Sequence, residues 1–160
     1  MSCIEKVELR PIGFVKTEAI GKEVRDKGNV SKVILREDLA EALDGIEDFS
    51  HLLVIFWMHK ISKEERRTMK VHPRGRRDMP LLGVFATRSP YRPNPIGTTL
   101  VEFLEVEGHI LTVRGLDAFD GTPVLDIKPF DYRDMTGDAR VPEWWMRLKR
   151  ERSEKREVIK

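Results

Sequence analysis

The sequence holds one cysteine, Cys3, no glutamine and only two asparagines. A lone cysteine closes no internal disulfide and builds no thiolate metal cluster, so a reducing, cytoplasmic setting is expected. Four histidines, His51, His59, His72 and His109, are scattered without metal-ligand spacing, and no metal is expected. Scarce amides beside abundant Lys, Arg and Glu are a thermophile-like composition, one that favours surface ion pairs over thermolabile side chains. The longest apolar run, Leu52 to Met58, is far shorter than the roughly 20 residues of a membrane span. Met1 to Arg10 carries two glutamates and no long apolar stretch, so no secretory signal is expected there. Also absent are a Gly-x-Gly-x-x-Gly fingerprint, a Walker loop, a nucleophile elbow and a zinc-protease helix. An enzyme made from this chain must use a less common constellation.

What is present reads mainly as β-structure. The 160 residues, 40% hydrophobic and 35% charged, suffice for one domain with a real core. Strands are expected within Val7–Thr17, over Val30–Arg36 and over His51–His59, the last apolar on both faces like a central strand. Further strands are expected at Leu81–Thr87, Thr99–Val106, Ile110–Val113 and Val124–Lys128, with Gly108 and Asp120-Gly121 in turns. Asp38 suits the N-cap of a short helix ending near Asp44-Gly45, and Pro142 suits the first turn of a helix reaching about Glu157. Trp57 is expected in the core, whereas Trp144 and Trp145 are candidates for core or interface. Several short strands with few helices predict a mainly β fold, a small single-domain β-barrel with short helices and a C-terminal helix. Residues 1–141 form the expected barrel domain and 142–160 a basic helix or tail of the same domain.

The chemistry is concentrated in three places at strand ends. The first is Phe49-Ser50-His51 with His59-Lys60. The second is the loop from Gly83 to Gly97, in which Ser89, Arg92 and Asn94 each precede a proline. Proline fixes φ and biases its predecessor toward extended backbone, so this loop should be stiff and hold Arg88, Arg92 and Asn94 ready for a ligand. The third is Leu116–Pro129, where Asp120 is either a site or a turn residue, and Asp126 and Lys128 pair with each other or with a loop arginine. The net charge is only +2, but Lys60–Asp78 holds eight Lys/Arg against three acids and Arg140–Lys160 eight against four. Two basic segments on a nearly neutral protein suit a phosphate backbone, although such runs are often simply solvated.

Four stretches resemble the TsaA/TrmO family: Pro11-Ile-Gly-Phe-Val-Lys-Thr, Leu43-Asp-Gly-Ile-Glu-Asp-Phe-Ser-His-Leu, Gly83-Val-Phe-Ala-Thr-Arg-Ser-Pro-Tyr-Arg-Pro-Asn-Pro-Ile-Gly and Asp120-Gly-Thr-Pro-Val-Leu-Asp-Ile-Lys-Pro. The resemblance covers roughly Val7 to Asp131. It implies a β-barrel methyltransferase dependent on S-adenosyl-L-methionine, acting as a homodimer with the cofactor near the interface. The implied acceptor is N6 of threonylcarbamoyl-modified adenosine 37 in tRNA. The implied cofactor contacts are Thr17, Glu18, Ala19, His59, Lys60, Arg88, Thr98, Ala118, Phe119, Asp120 and Gly121. Many members carry Ser-Pro-Tyr where this chain has Thr17-Glu18-Ala19, and many bacterial members carry an added C-terminal domain.

Methyl transfer from a sulfonium is an in-line displacement, so positioning supplies much of the catalysis. Asn94 and Asp120 are the candidate catalytic residues, by type suited to orient the acceptor amine or take its proton. Arg92, Tyr91, Arg66, Arg67, Arg76 and Arg77 are the candidate RNA or acceptor contacts. The rival readings are a non-catalytic RNA-binding barrel and a small-molecule methyltransferase of the same fold.

Overall fold

The computed structural model describes residues 6–158; Cys3 lies outside them. Six antiparallel strands close a barrel in the order β1-β2-β7-β6-β3-β8, with β8 pairing back onto β1. The barrel strands are β1 (Gly13–Lys16), β2 (Val30–Leu35), β3 (His51–Trp57), β6 (Ile96–Glu107), β7 (Ile110–Arg114) and β8 (Pro123–Pro129). A separate two-stranded ladder joins β4 (Lys70–Val71) to β5 (Leu82–Gly83), and one α-helix, α1, spans Glu143–Val158. Closure leaves the sheet without a terminal strand, so most of the backbone edge that an open sheet of this size would expose is paired.

The core follows from strand alternation. Leu52, Val54 and Phe56 of β3 point inward and are nearly or fully buried, together with Val15, Val33, Val101 and Leu111 from neighbouring strands. The other face of β3 is not a second core. Leu53, Ile55 and Trp57 lie half-buried on the outer wall, where Leu53 is opposite Leu100 and Trp57 opposite Ile96. Leu100 and Ile96 are themselves 42% and 39% exposed. The expectation that Trp57 is core is therefore corrected: its ring lies under the Arg66 guanidinium, 5.0 Å away. Bulges at Ile55/Phe56 against β8 and at Phe103/Glu105 against β7 bend the long strands toward closure.

Other expectations shift for local reasons. Leu81–Thr87 is not a continuous strand: β5 is two residues long because its partner β4 is, and Val84–Ala86 then turns as a 3-10 helix. Asp38 does not cap a helix. The 3-10 turn Glu37–Leu43 starts after Arg36, and the Asp38 carboxylate instead receives the Arg36 guanidinium at 3.1 Å and 3.2 Å. β6 begins at Ile96, three residues before the expected Thr99, because the register with β3 runs through to Trp57. Ile61–Pro80 is mostly loop but contains β4 and two 3-10 turns. Gly97, opposite Phe56, sits where a Cβ would lie 2.5 Å from the Phe56 ring Cζ.

Candidate functional site

One rim of the barrel collects the C-terminal ends of β1 and β3 and the N-terminal ends of β6 and β8. The segments leaving that rim are Thr17–Ala19, Met58–Lys60, the proline loop and Leu116–Thr122. Specific contacts tie them together. The Asp120 carboxylate accepts the Thr17 backbone N–H at 3.0 Å and the Lys16 ammonium at 3.4 Å. Thr17 Oγ1 in turn accepts the Ala19 N–H at 3.2 Å. Lys60 Nζ lies 4.0 Å from the centroid of the Phe119 ring, a cation–π contact. Thr122 Oγ1 is 3.4 Å from His59 Nδ1, and the Met58 N–H donates to the Pro95 carbonyl at 2.7 Å. Gly121 permits this rim to form: its φ of 75° is left-handed, and its N–H reaches the Val15 carbonyl at 2.8 Å.

The electrostatics assign different work to the two titratable groups. The Asp120 carboxyl is held below its ordinary 3.8, first by the Thr17 N–H and then by Lys16. A carboxylate so stabilised is a weak base, and its visible work is to fix the Thr17–Ala19 turn. The His59 imidazole is pushed below its ordinary 6.5, chiefly by burial and then by the neighbouring Lys60 ammonium. It is therefore neutral at pH 7, with Nε2 left for a ligand.

The proline loop is not extended throughout. Two tight turns interrupt it, the Arg92 N–H reaching the Pro90 carbonyl at 2.9 Å and the Ile96 N–H the Asn94 carbonyl at 2.7 Å. Arg92 is spent on the loop itself, donating to the carbonyls of Thr87 and Ser89 at 3.1 Å and 2.9 Å. Its guanidinium lies 5.8 Å from the Phe85 ring, which is 77% exposed. Asn94 is exposed, and its carboxamide makes no intramolecular hydrogen bond among the described residues. Tyr91 is 40% exposed on the same loop.

Arg88 donates to the Thr98 carbonyl at 3.0 Å. The position of Thr98 explains that contact. Backbone bonds from Met58 to Pro95 and from Phe103 to Ser50 fix the parity of the β3–β6 ladder. Residues 97, 99 and 101 thus face β3, while 96, 98 and 100 turn their N–H and C=O groups the other way. Within β6 the β7 pairing covers only Glu102–Glu107, so among the described residues that side of Ile96–Val101 carries no strand. Thr98 offers an unpaired N–H beside a carbonyl already held by Arg88.

Several expected site residues fall elsewhere or contribute differently. Ala118 is buried, which leaves only its backbone for a ligand; Glu18 is exposed and Thr17 mostly buried. Arg66 lies on Trp57 and donates to the Ile61 carbonyl at 3.4 Å, so it is a structural cation. Arg76 is committed to Asp78 and Glu151. Arg67 and Arg77 are exposed. Asp126 and Lys128 pair with each other at 2.9 Å and leave the loop arginines alone. His51, at the start of β3, lies at the opposite end of that strand from His59, and its Nδ1 is 2.9 Å from Ser50 Oγ. Two residues at this rim and loop, Thr122 beside His59 and the exposed Phe85 beside Arg92, were not singled out in the sequence; the one available signal is that Thr122 directly follows Asp120-Gly121.

The model of the tRNA-methyltransferase O N-terminal domain matches residues 15–134, most of the chain and all four rim segments. The chain belongs to that family. A protein of Methanothermobacter thermautotrophicus named a probable S-adenosyl-L-methionine-binding protein is 43% identical over 135 residues, covering 81% of this chain and 93% of its own. A putative S-adenosylmethionine-dependent methyltransferase of Pseudomonas aeruginosa, RcsF, is 44% identical over 104 residues, 64% of this chain and 45% of its own. The crystal structure of TrmO from the same organism superposes with a TM-score of 0.69 at 31% identity, covering 87% of this chain. The superposed region is 62% of that TrmO chain.

Proposed function

We propose that the protein is an S-adenosyl-L-methionine-dependent methyltransferase that acts on N6 of threonylcarbamoyl-modified adenosine 37 in tRNA. The observation that carries the reading is the convergence at one rim of Thr17–Ala19, His59–Lys60, Arg88–Thr98 and Ala118–Gly121 in a chain of this family. The residues suit the cofactor's chemistry. Arg88 offers guanidinium donors to a carboxylate, and the unpaired edge at Thr98 offers a backbone donor to a heterocycle. A neutral His59 can lie close to a sulfonium without adding a second positive charge.

When bound, the cofactor supplies an electrophilic methyl group; the N6–CH3 bond forms as the S–CH3 bond breaks, and N6 loses one proton. The protein's share is positioning. The exposed Asn94 carboxamide orients the acceptor amine through its carbonyl. A protonated N6 that carries a carbamoyl group is strongly acidic, so its proton passes to water without a dedicated strong base. Asp120 acts one step back, by fixing Thr17–Ala19. The exposed Phe85 ring, backed by Arg92, stacks an unpaired base of the anticodon loop.

A homodimer belongs to the same reading. The outer wall formed by Leu53, Ile55, Ile96 and Leu100 flanks Thr98 and is the kind of apolar surface a second copy would cover. The deciding experiment is methylation of unfractionated tRNA, with and without the threonylcarbamoyl group, followed by nucleoside mass spectrometry. A methyl group on N6 only of the modified adenosine is expected. No incorporation by folded protein that binds the cofactor refutes the reading.

A further inference from the structure

Helix α1 lies beyond the family's matched residues, yet it is fastened by ion pairs to the segment His72–Met79 rather than left as a tail. Arg76 reaches Asp78 at 2.6 Å and Glu151 at 3.3 Å. Arg147 reaches the same Asp78 carboxylate at 2.6 Å, the Asp78 carbonyl at 3.3 Å and Glu151 at 3.0 Å. Two arginines and two carboxylates thus share one network between α1 and the segment His72–Met79. That segment is itself braced: His72 Nδ1 is 2.8 Å from the Met79 carbonyl, Pro73 and Met79 are buried, and Arg74 holds a left-handed φ of 57°. A non-glycine residue stays in that region only when its surroundings over-determine it. Leu148, 5% exposed, and half-buried Trp144 complete the packed face of α1.

The clamp fixes how the remaining faces of α1 are presented. At about 100° per residue, Arg147, Arg150 and Glu143 fall on one flank of the packed face. That flank is charge-paired, with Arg150 on Glu143 at 2.6 Å and Arg147 on Asp78. Trp145, Lys149 and Arg152 fall on the other flank. All three are exposed, Trp145 by 42%, and neither cation has an ion-pair partner among the described residues. One flank is neutralised and the other is basic with a single aromatic.

We propose that the Trp145–Lys149–Arg152 flank of α1 is a docking surface for the phosphate backbone of the tRNA, outside the nucleotide that is modified. Two unpaired cations match a polyanion, and their clamp-fixed spacing lowers the cost of ordering them on binding. An exposed indole one turn before Lys149 suits stacking on an unpaired base or a ribose. A membrane surface is the poorer match, because the apolar residues Trp144 and Leu148 face the protein and leave no continuous apolar face outward. The inference rests on tRNA being the substrate.

The test is tRNA binding by the full chain, followed by fluorescence anisotropy across about 50–300 mM salt. The double reversal K149E/R152E should flatten the log–log salt slope by about two and weaken binding about tenfold or more at low salt. Calorimetric affinity for S-adenosylmethionine and the melting temperature should not move, since both side chains are exposed and unpaired. Arg150→Ala, on the paired flank, should leave the slope within about 0.5 of wild type. Arg76→Ala, which opens the clamp, should weaken tRNA binding while cofactor affinity is retained. An unchanged slope and affinity in K149E/R152E overturn the proposal. So does a K149E/R152E variant that loses the wild-type protein's binding to phosphatidylserine vesicles while its tRNA binding stays intact. Binding is read separately from methylation: failure of wild type to methylate tRNA refutes the substrate reading, whereas a methylating enzyme indifferent to the reversal refutes only the docking surface.

Discussion

Replacing Gly97 by alanine should destabilise the barrel through one side chain, Phe56. Gly97 is the cross-strand neighbour of Phe56, and a Cβ built there would lie 2.5 Å from the ring Cζ and 3.0 Å from Cδ2. Phe56 is 4% exposed, so its ring has little free space to move into. Forcing a core ring off its rotamer costs about 1–3 kcal/mol. The entropy lost from the unfolded chain in a Gly→Ala change recovers about 0.4–1 kcal/mol, so destabilisation wins. In a protein of this size a net cost of about 1 kcal/mol lowers the melting temperature by about 2–4 °C. Phe56→Ala alone should cost about 3–5 kcal/mol by opening a cavity. The double variant G97A/F56A should cost less than the sum of the two, with a coupling of about 1–3 kcal/mol, because the conflict disappears with the ring. Urea unfolding with an unchanged m-value measures all four corners of the cycle. A Gly97→Ala variant as stable as wild type, or an additive double variant, refutes the steric argument.

Arg88→Ala should weaken S-adenosylmethionine binding by roughly 10- to 100-fold in calorimetry, the loss expected for a charge-assisted hydrogen bond; an unchanged affinity removes Arg88 from the cofactor site. Phe85→Ala should raise the KM for tRNA by roughly 5- to 100-fold with cofactor affinity intact, and Phe85→Trp should restore it. Leu100→Arg should yield monomers in sedimentation and weaken cofactor binding; persistent dimers would move the interface elsewhere. Acid should loosen the clamp on α1. The Asp78 carboxyl is held down to about 2 from its ordinary 3.8, first by hydrogen bonds from Arg76. A carboxyl lowered on folding contributes stability that is complete above 3.8 and lost as pH falls toward 2. Unfolding free energy should therefore drop across that window, and Asp78→Asn should make the drop shallower, as followed by urea titrations at several pH values.

Much of the fold was legible because it rests on local pattern. Several short strands with few helices, separated by turn residues, sufficed to predict a barrel, and Pro142 marked the start of α1 within a residue. The errors arise where a partner distant in sequence decides. Leu81–Thr87 has the composition of a strand, but its length is set by the two-residue β4, which nothing in Leu81–Thr87 reveals. Trp57 has the composition of core, yet the barrel turns it outward by parity with Phe56. Arg66 and Arg76 look like free cations in a basic loop; one is taken by Trp57 and the other by Glu151, 75 residues away. The rim residues were visible because they lie in compact motifs. Their mutual contacts, such as Thr17 with Asp120 across 103 residues, were not.

The proline loop shows why a motif can name a site before its residues can be assigned roles. Prolines at 90, 93 and 95 remove three backbone donors from a segment of six residues, so carbonyls nearby lose their natural partners. The Arg92 guanidinium supplies the missing donors to Thr87 and Ser89. The two arginines, equivalent by composition, are thereby separated in function: Arg92 completes the loop's own hydrogen bonding and backs Phe85. Arg88 commits one terminal nitrogen to the Thr98 carbonyl, which leaves its other N–H groups available under the proposed function. A lysine at 92 would offer one ammonium point where two carbonyls and a ring face are now served by a plane, so the loop, rather than the chemistry, is what demands arginine there.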